Sequence, residues 1–309
     1  MPELTLHHYA GSPFSEKVRL ILGFKGMTWN TVTVPVMMPK PDVVALTGGY
    51  RRTPFMQIGA DIYCDSALIC RVIESLAPEP SIYPDWAGGV AQMVAHWADT
   101  ALFWCAVPYT LQPAGKAHIF AGAPADFLKA FGADRSAMTV GMRLPTPVDA
   151  RAQLIAQLGW LEQLLRDGRP FLLGANACLA DFSVVQSVWF IRRAPPVAAV
   201  LEPFERVNAW FERVCAFGHG RSESMSSEQA IAMAASTGRH ADCEIDTGQG
   251  FAPGGAVTVM PTDYAADPVA GRLVGLSVDE VVVARTDKRA GTVHVHFPRI
   301  GFQVRQDGI

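Results

Sequence analysis

The sequence lacks both a long hydrophobic run and an excess of basic residues. No stretch of the 309 residues approaches the about 18 consecutive apolar residues that a transmembrane helix needs. The first eight residues, Met1 to His8, show no positive cluster followed by an apolar segment of the kind that directs export. Lys and Arg total 26 against 29 Asp and Glu, so no surface suited to nucleic acid is expected. We therefore expect a soluble, cytoplasmic protein that binds neither a membrane nor a nucleic acid.

Cysteine is present, but not in the arrangements that carry chemistry. The six cysteines are spread along the chain without a C-x-x-C pair or a cluster at ligand spacing. Isolated cysteines in apolar helical segments usually pack as small hydrophobic side chains. We interpret them as buried thiols in a reducing compartment, and we look for the reactive group elsewhere.

Half of the residues are apolar, and the first part of the chain shows a clear order of predicted strands and helices. Apolar residues make up 50% of the chain, which predicts two or three well-packed domains at this length. Residues 4–76 follow the order βαβαββα, an order in which a small domain can close around a mixed sheet. The predicted strands are 4–8, 29–34, 55–58 and 62–64, and the predicted helices are 13–24, 41–46 and 67–76.

The rest of the chain divides into a helical part and a strand-rich part. Residues 77–84 contain three prolines in eight positions, so we predict a linker at 78–86. Apolar residues at helical spacing then predict an all-helical domain at 87–222. From about residue 240 short β-branched runs predict a small antiparallel β domain at 240–309, whose role the sequence does not indicate.

Three segments of the first unit resemble the cytosolic glutathione transferase superfamily in type and order. They are Ser12-Pro13-Phe14-Ser15-Glu16-Lys17-Val18-Arg19, Arg52-Thr53-Pro54 and Asp65-Ser66-Ala67-Leu68-Ile69. The proline-rich linker and the helical second part agree, and the resemblance covers about residues 4–220. It implies an α+β multi-domain fold with a thioredoxin-like domain at 1–77, glutathione as co-substrate and a homodimer.

The resemblance implies that Ser12 stabilises the thiolate of glutathione. A strand that runs into a helix places a hydroxyl beside unpaired amides and the positive end of the helix dipole. Lowering a thiol pKa from about 8.5 by one or two units multiplies the thiolate present near neutral pH. Glutaredoxins and omega-like transferases have a cysteine here, and serine cannot form their mixed disulfide, which favours conjugation or non-catalytic binding over thiol transfer. A helix cap alone is the alternative role for Ser12.

The other glutathione-binding residues also come from the resemblance. Thr53-Pro54 matches the family's cis-proline, which turns the Thr53 backbone toward the cysteinyl backbone of the peptide; a trans edge proline is the alternative. Asp65 and Ser66 would hold the γ-glutamyl ammonium and carboxylate, although helix capping alone also explains them. Arg52, better placed than Arg51, would pair with the glycyl carboxylate unless it is merely solvated.

Aromatic residues are the candidates for the second substrate's pocket. Tyr9 lies near the strand-to-helix turn, Phe14 belongs to the serine motif, and Trp104 lies on the first long helix of the second domain. An aromatic helix is more often core than site, so both interpretations of Trp104 remain open.

Two further patterns are assigned to folding rather than chemistry. Cys178 and Asp181 occupy the positions of a capping box like that of the family's second domain, in which Asp181 reaches back to the cap amide. His294 and His296 share one face of a strand, but no third ligand stands at a recognisable spacing. The sequence therefore predicts no metal site.

Three functional hypotheses remain. The first is a glutathione transferase that adds the thiolate to a small apolar electrophile, with Ser12 as activator. The second is a glutathione-binding or interaction scaffold without catalysis, because a fold does not decide a function. The third is a glutathione-dependent lyase or isomerase of a catabolic pathway.

Overall fold

The computed structural model describes residues 3–306, and its first part has the predicted βαβαββα order. The elements are β1 Thr5–His8, α1 Pro13–Phe24, β2 Thr28–Thr33, α2 Pro41–Thr47, β3 Phe55–Ile58, β4 Asp61–Cys64 and α3 Ser66–Leu76. β1 pairs in parallel with β2 and antiparallel with β3, and β3 pairs antiparallel with β4. The α+β multi-domain class and the thioredoxin-like first domain are confirmed.

The start and the end of α1 follow from local sequence. Pro13 occupies the first turn, where its missing N–H costs nothing. The Ser12 side chain accepts a hydrogen bond from the Ser15 amide at 3.2 Å. After the other end of α1, Gly26 has a φ of 62°, a left-handed conformation that terminates the helix. The strand-to-helix turn at Ser12 is therefore encoded by a few neighbouring residues.

The second part is helical, as predicted. Its elements are α4 Gly88–Trp97, a π-helical turn Ala98–Leu102, α5 Phe103–Thr110, α6 Pro113–Ile119, α7 Ala125–Met138, α8 Pro147–Leu164, α9 Leu179–Arg192, α10 Pro195–Ala198 and α11 Glu205–Cys215. Twelve of the fourteen residues of α9 are buried, and this helix packs on α1, α4 and α5. α9 therefore anchors the helical part to the first domain.

Asp181 has the folding role that the sequence predicted. Its carboxylate accepts hydrogen bonds from the backbone amides of Cys178 at 2.9 Å and Leu172 at 2.8 Å, and from the Trp210 indole at 2.7 Å. The carboxylate is fully buried, so these donors replace the water that it loses. Asp181 thus fastens the start of α9 to α11 and to the preceding loop.

The last part of the chain extends the first sheet instead of forming a separate one. Its elements are β5 Arg221–Ser224, α12 Ser227–Ser236, β6 Ala256–Pro261, β7 Val269–Leu276, β8 Glu280–Asp287, β9 Gly291–Pro298 and β10 Phe302–Gln306. β6 to β10 pair antiparallel with one another, as predicted. β9 then pairs in parallel with β4, which the sequence did not predict. The result is one ten-stranded sheet in the order β10-β6-β7-β8-β9-β4-β3-β1-β2-β5.

The prediction of buried thiols is confirmed for four of the six cysteines, whereas Cys215 and Cys243 are half-buried. All six cysteines are free, and four of them are buried. Burial raises the pKa of Cys178 and Cys215 to about 12, so these thiols stay protonated near neutral pH. Within residues 3–306 no helix combines the length and the apolarity needed to cross a bilayer.

Candidate active site

Two adjoining cavities meet at the turn between β1 and α1. The smaller has a volume of about 260 Å³ and is lined by Thr53, Pro54, Asp65 and Ser66, among others. The larger has a volume of about 740 Å³ and is lined by Ser12, Tyr9 and Trp104, among others. Four residues line both: Phe14, Arg52, Thr53 and Tyr264. The predicted site residues therefore converge on one region, which holds two adjoining cavities.

Ser12 lines the larger cavity and lies next to Thr53, which lines both. Its Oγ donates a hydrogen bond to the Thr53 carbonyl at 3.3 Å and accepts one from the Ser15 amide at 3.2 Å. The side chain is therefore at the N-terminus of α1, where the helix dipole favours an anion. The proton of this hydroxyl is available to any stronger acceptor that enters beside Thr53.

The Thr53–Pro54 peptide bond is cis, as predicted. Thr53 lies just before β3, and it forms part of the wall that the two cavities share. Among the described residues, the Thr53 N–H donates no hydrogen bond. Backbone groups left unpaired next to a cavity can pair with an extended peptide as one more strand would.

Asp65 and Ser66 begin α3 on the opposite side of the smaller cavity. Asp65 has a φ of 77°, which is uncommon for a residue other than glycine and is concentrated at functional sites. Its carboxylate accepts from the Ala67 amide at 2.8 Å. The Ser66 amide makes no hydrogen bond within residues 3–306, which leaves a donor at a helix N-terminus facing the cavity.

An ion pair between the buried Lys17 and the partly buried Asp99 lies next to Ser66. The Nζ of Lys17 is 2.6 Å from the Asp99 carboxylate and 3.4 Å from the Ser66 hydroxyl. Burial alone would lower the pKa of Lys17, but the Asp99 carboxylate outweighs it and holds that pKa above its ordinary value. Asp99 lies in the π-helical turn and also accepts a hydrogen bond from the Gln186 amide group at 2.7 Å. π turns in helices recur at functional sites, and this one connects α1, α3 and α9.

Arg52, predicted to bind the glycyl carboxylate, is already paired in the structure. Its guanidinium contacts the Asp263 carboxylate and the Tyr264 carbonyl, and its Cζ lies 3.8 Å from the centre of the Tyr264 ring. Asp263 and Tyr264 belong to the loop between β6 and β7. The C-terminal strands therefore contribute directly to the wall of both cavities.

Lys40 is a candidate that the sequence reasoning missed. Its Nζ lies 3.1 Å from the Arg51 carbonyl and 3.5 Å from the Thr53 hydroxyl. Among the described residues, no carboxylate lies within ion-pair distance of it. Burial, together with Arg135 and Arg51, lowers the pKa of Lys40 to about 8. The only sequence signal was its position between two prolines, and a loop lysine is ordinarily solvated.

The larger cavity has an aromatic wall. Tyr9, Phe14 and Trp104, the three predicted pocket residues, all line it. Phe14 packs on Phe103 with ring centres 4.6 Å apart, and Trp104 meets Tyr264 edge to face at 5.2 Å. An apolar cavity beside a few polar groups is the ordinary form of a small-molecule site.

Two family models match the chain. The glutathione S-transferase N-terminal domain matches residues 6–81, and the glutathione S-transferase C-terminal domain matches residues 132–213. Among solved structures, a GST-like protein from Pseudomonas syringae is 38% identical, covers 99% of this chain and 100% of its own, and superposes with a TM-score of 0.81. That coverage takes in the C-terminal strands as well.

More distant structures share the fold over a smaller part of the chain. A glutathione S-transferase from Rhodospirillum rubrum F11 is 18% identical, covers 69% of this chain and 88% of its own, and has a TM-score of 0.53. The β-etherase LigF from Sphingobium sp. strain SYK-6 is 17% identical, covers 69% of this chain and 95% of its own, and has a TM-score of 0.52. At these identities the likeness concerns the fold alone. A comparison with curated proteins finds no match.

Proposed function

The chain belongs to the glutathione S-transferase superfamily, and we propose that it is an enzyme that adds the glutathione thiolate to a small apolar electrophile. Glutathione would occupy the smaller cavity and reach past Thr53 to Ser12 and Lys40 at the edge of the larger one, which would also hold the electrophile. The observation that carries the proposal is the position of Ser12, whose hydroxyl contacts Thr53, one of the four residues that line both cavities. We also propose that the protein acts as a cytoplasmic homodimer, as members of this superfamily generally do, which the molar mass in solution would test.

The residues around the smaller cavity fit a γ-glutamyl tripeptide. The amides of Thr53 and Ser66 are unpaired donors, and Asp65 is a carboxylate at the same helix start. The γ-glutamyl ammonium would lie near the full negative charge of Asp65. The γ-glutamyl carboxylate would lie near the partial positive charge at the N-terminus of α3. With the peptide backbone along Thr53, its sulfur would lie toward Ser12 and the larger cavity.

Ser12 and the N-terminus of α1 would then act on the thiol together. The hydroxyl donates its proton to the sulfur in place of the Thr53 carbonyl, and the helix dipole stabilises the same negative charge. The thiol proton leaves to solvent, the thiolate sulfur bonds to the electrophilic carbon of the second substrate, and the leaving group on that carbon, chloride in chlorodinitrobenzene, departs with its bonding electron pair. The aromatic wall holds that substrate and excludes water from the thiolate.

Asp65→Asn is expected to weaken glutathione binding about tenfold, measured by isothermal titration calorimetry. The substitution removes the charge that would face the γ-glutamyl ammonium, and a hydrogen bond to a charged group is worth about 1.5–3 kcal/mol. Asparagine still caps the helix and tolerates positive φ, so the fold is retained. The matched control is Asp126→Asn, an exposed carboxylate in the first turn of α7. Unchanged affinity in Asp65→Asn would contradict this placement of glutathione.

Lys40 is expected to make the binding of S-methylglutathione pH-dependent. We propose that its ammonium group pairs with the glycyl carboxylate, because it lies beside Thr53 without a carboxylate of its own. Its pKa is lowered to about 8, so the charged form is present below that pH and is lost above it. Affinity should therefore fall about tenfold between pH 7 and pH 9, since each pH unit above a pKa is a factor of ten.

Two variants separate this effect from other titrations. S-Methylglutathione has no thiol, so thiol ionisation cannot contribute to the pH profile. The γ-glutamyl ammonium of the ligand also loses its proton in this range, so Lys40→Met should bind weakly and with the shallower profile that this group alone produces, whereas Lys40→Arg, which stays charged throughout, should show the same shallower profile but bind more tightly. An unaltered slope in Lys40→Met would show that another group is responsible.

The competing hypotheses give different outcomes in one experiment. Glutathione binding is measured by thermal shift and calorimetry, and turnover is measured with chlorodinitrobenzene. Failure to bind glutathione at millimolar concentration would overturn the proposal. Binding without turnover for a range of electrophiles, unaffected by changes at Ser12, would favour the scaffold hypothesis.

A further inference from the structure

Three potential metal ligands meet at the seam between β4 and β9. Asp61 begins β4, His294 lies opposite it on β9, and His240 is on the loop after α12. The Asp61 Oδ1 is 3.5 Å from His240 Nδ1 and 3.9 Å from His294 Nδ1. The three ligand atoms all lie within 4.8 Å of one another.

The two histidine nitrogens that face Asp61 lack hydrogen-bond partners. The Nδ1 atoms of His240 and His294 are both buried, and neither forms a hydrogen bond within residues 3–306. Their rings stack with centres 3.6 Å apart and an angle of 13° between planes. Unpaired buried polar atoms cost free energy. Two imidazole nitrogens and a carboxylate oxygen that face one another can each give a lone pair to a metal ion bound between them.

Asp61 is held in place by a second layer of contacts. Its Oδ1 faces His296 Nε2 at 3.1 Å, and its Oδ2 accepts a hydrogen bond from the Ala241 amide at 2.9 Å. His296 in turn pairs through Nδ1 with Glu280 at 2.6 Å. Outer residues that orient the ligands in this way are a regular part of metal sites.

We propose that Asp61, His240 and His294 bind one divalent transition-metal ion, and that zinc is the ion they fit best. Two imidazole nitrogens and one carboxylate oxygen are ordinary zinc ligands, and a water molecule would complete four-coordination. The near-parallel rings require one imidazole to turn about its Cβ–Cγ bond so that both lone pairs meet the ion. His240, which lies on a loop, is the ring free to do so.

The position of the site indicates a structural rather than a catalytic role. None of its three ligands lines either cavity of the candidate active site. The ligands come instead from β4, from β9 and from the loop between α12 and β6. A bound ion would fasten the C-terminal strands to the thioredoxin-like sheet. The sequence predicted no metal site because it showed only His294 and His296, whereas the fold supplies Asp61 and His240.

Zinc titration of the metal-stripped, full-length protein tests the proposal. A chromophoric zinc chelator serves as competitor, and one equivalent of Zn²⁺ is expected to bind saturably and to raise the Tm. Loss of an outer partner already costs about 10–100-fold in metal affinity, so His240→Ala should cost about 100-fold or more. His240 lies outside the strands and helices, so circular dichroism should show this variant folded.

Controls and a second readout complete the test. His118→Ala removes an exposed histidine of α6 and should leave zinc affinity unchanged. Substitution by Co²⁺ should produce visible d–d absorption in the wild type that is lost in both His240→Ala and His294→Asn. The proposal is overturned if the wild type shows no saturable one-equivalent binding, or if both variants retain wild-type zinc affinity.

Discussion

Ser12→Ala should lower kcat/KM for the conjugation of glutathione with chlorodinitrobenzene by about 100-fold, because removing one preorganised donor to a developing anion costs about that much. The same substitution should raise the pKa of bound glutathione by about one unit, because it removes the hydrogen bond to sulfur and leaves the helix dipole in place. Thiolate absorbance in the ultraviolet, followed against pH in the binary complex, measures that shift directly. Affinity for S-methylglutathione should change little, since its thioether carries no charge for Ser12 to stabilise.

Two matched controls separate catalysis from helix capping. Ser12 caps α1 and Ser226 caps α12, each by accepting an amide hydrogen bond at 3.2 Å. Ser226→Ala should therefore reproduce the loss of stability, on the order of 1 kcal/mol, with normal turnover. Ser15 is buried three residues after Ser12, and its Oγ has no hydrogen-bond partner in the described part of the chain. A Ser12→Ala enzyme that turns over like Ser15→Ala would show that Ser12 is only a cap.

Lys17→Met should lower the free energy of unfolding by at most about 3–5 kcal/mol, because it leaves the Asp99 carboxylate, whose side chain is 17% exposed at the wall of the smaller cavity, without its counter-charge. The Lys17 side chain is 1% exposed and its ammonium lies 2.6 Å from Asp99. Urea denaturation measures the loss. Lys129→Met, which changes an exposed lysine of α7, should stay within about 0.5 kcal/mol of the wild type.

A double variant distinguishes charge pairing from packing. Lys17→Met with Asp99→Leu removes both charges and fills their space with apolar groups, a replacement that is often neutral. It should regain most of the stability lost in Lys17→Met, while glutathione binding suffers because the support of Ser66 is gone. A double variant no more stable than Lys17→Met would mean that the unpaired charge of Asp99 is not the cause of the loss.

The first domain was predictable because its signals are local. The Ser12 cap, Pro13 in the first turn and Gly26 after the helix specify α1 within a short stretch, and the order of the elements follows from such signals. The cis bond before Pro54 was predicted from a motif in the same way. Short-range sequence patterns determine the helices and strands, and a family motif indicates how these are arranged.

What the sequence could not show depends on distant pairing. The β6–β7 loop brings Asp263 against Arg52, 211 positions earlier in the chain, so the pairing of that arginine leaves no local trace. The Lys40 ammonium is buried against the Arg51 carbonyl and the Thr53 hydroxyl, which lie 11 and 13 positions later in the chain. The histidines of β9 gain Asp61 as a partner only through the parallel pairing of β9 with β4. In each case the composition and the periodicity of the sequence are the same whether or not the contact forms, so neither predicts it.

The parallel pairing of β4 with β9 also governs the order in which the protein can be completed during synthesis. Asp61 and His296, which meet across this seam, are 235 positions apart. Contacts of such separation form late, so a nascent chain carries β4 as an open edge until its last strands leave the ribosome. Open edges pair with other chains, and we therefore expect chains that stop before residue 291 to be the species most dependent on chaperones. Their pelleted fraction in a cell-free translation series would report the residue at which the edge becomes covered.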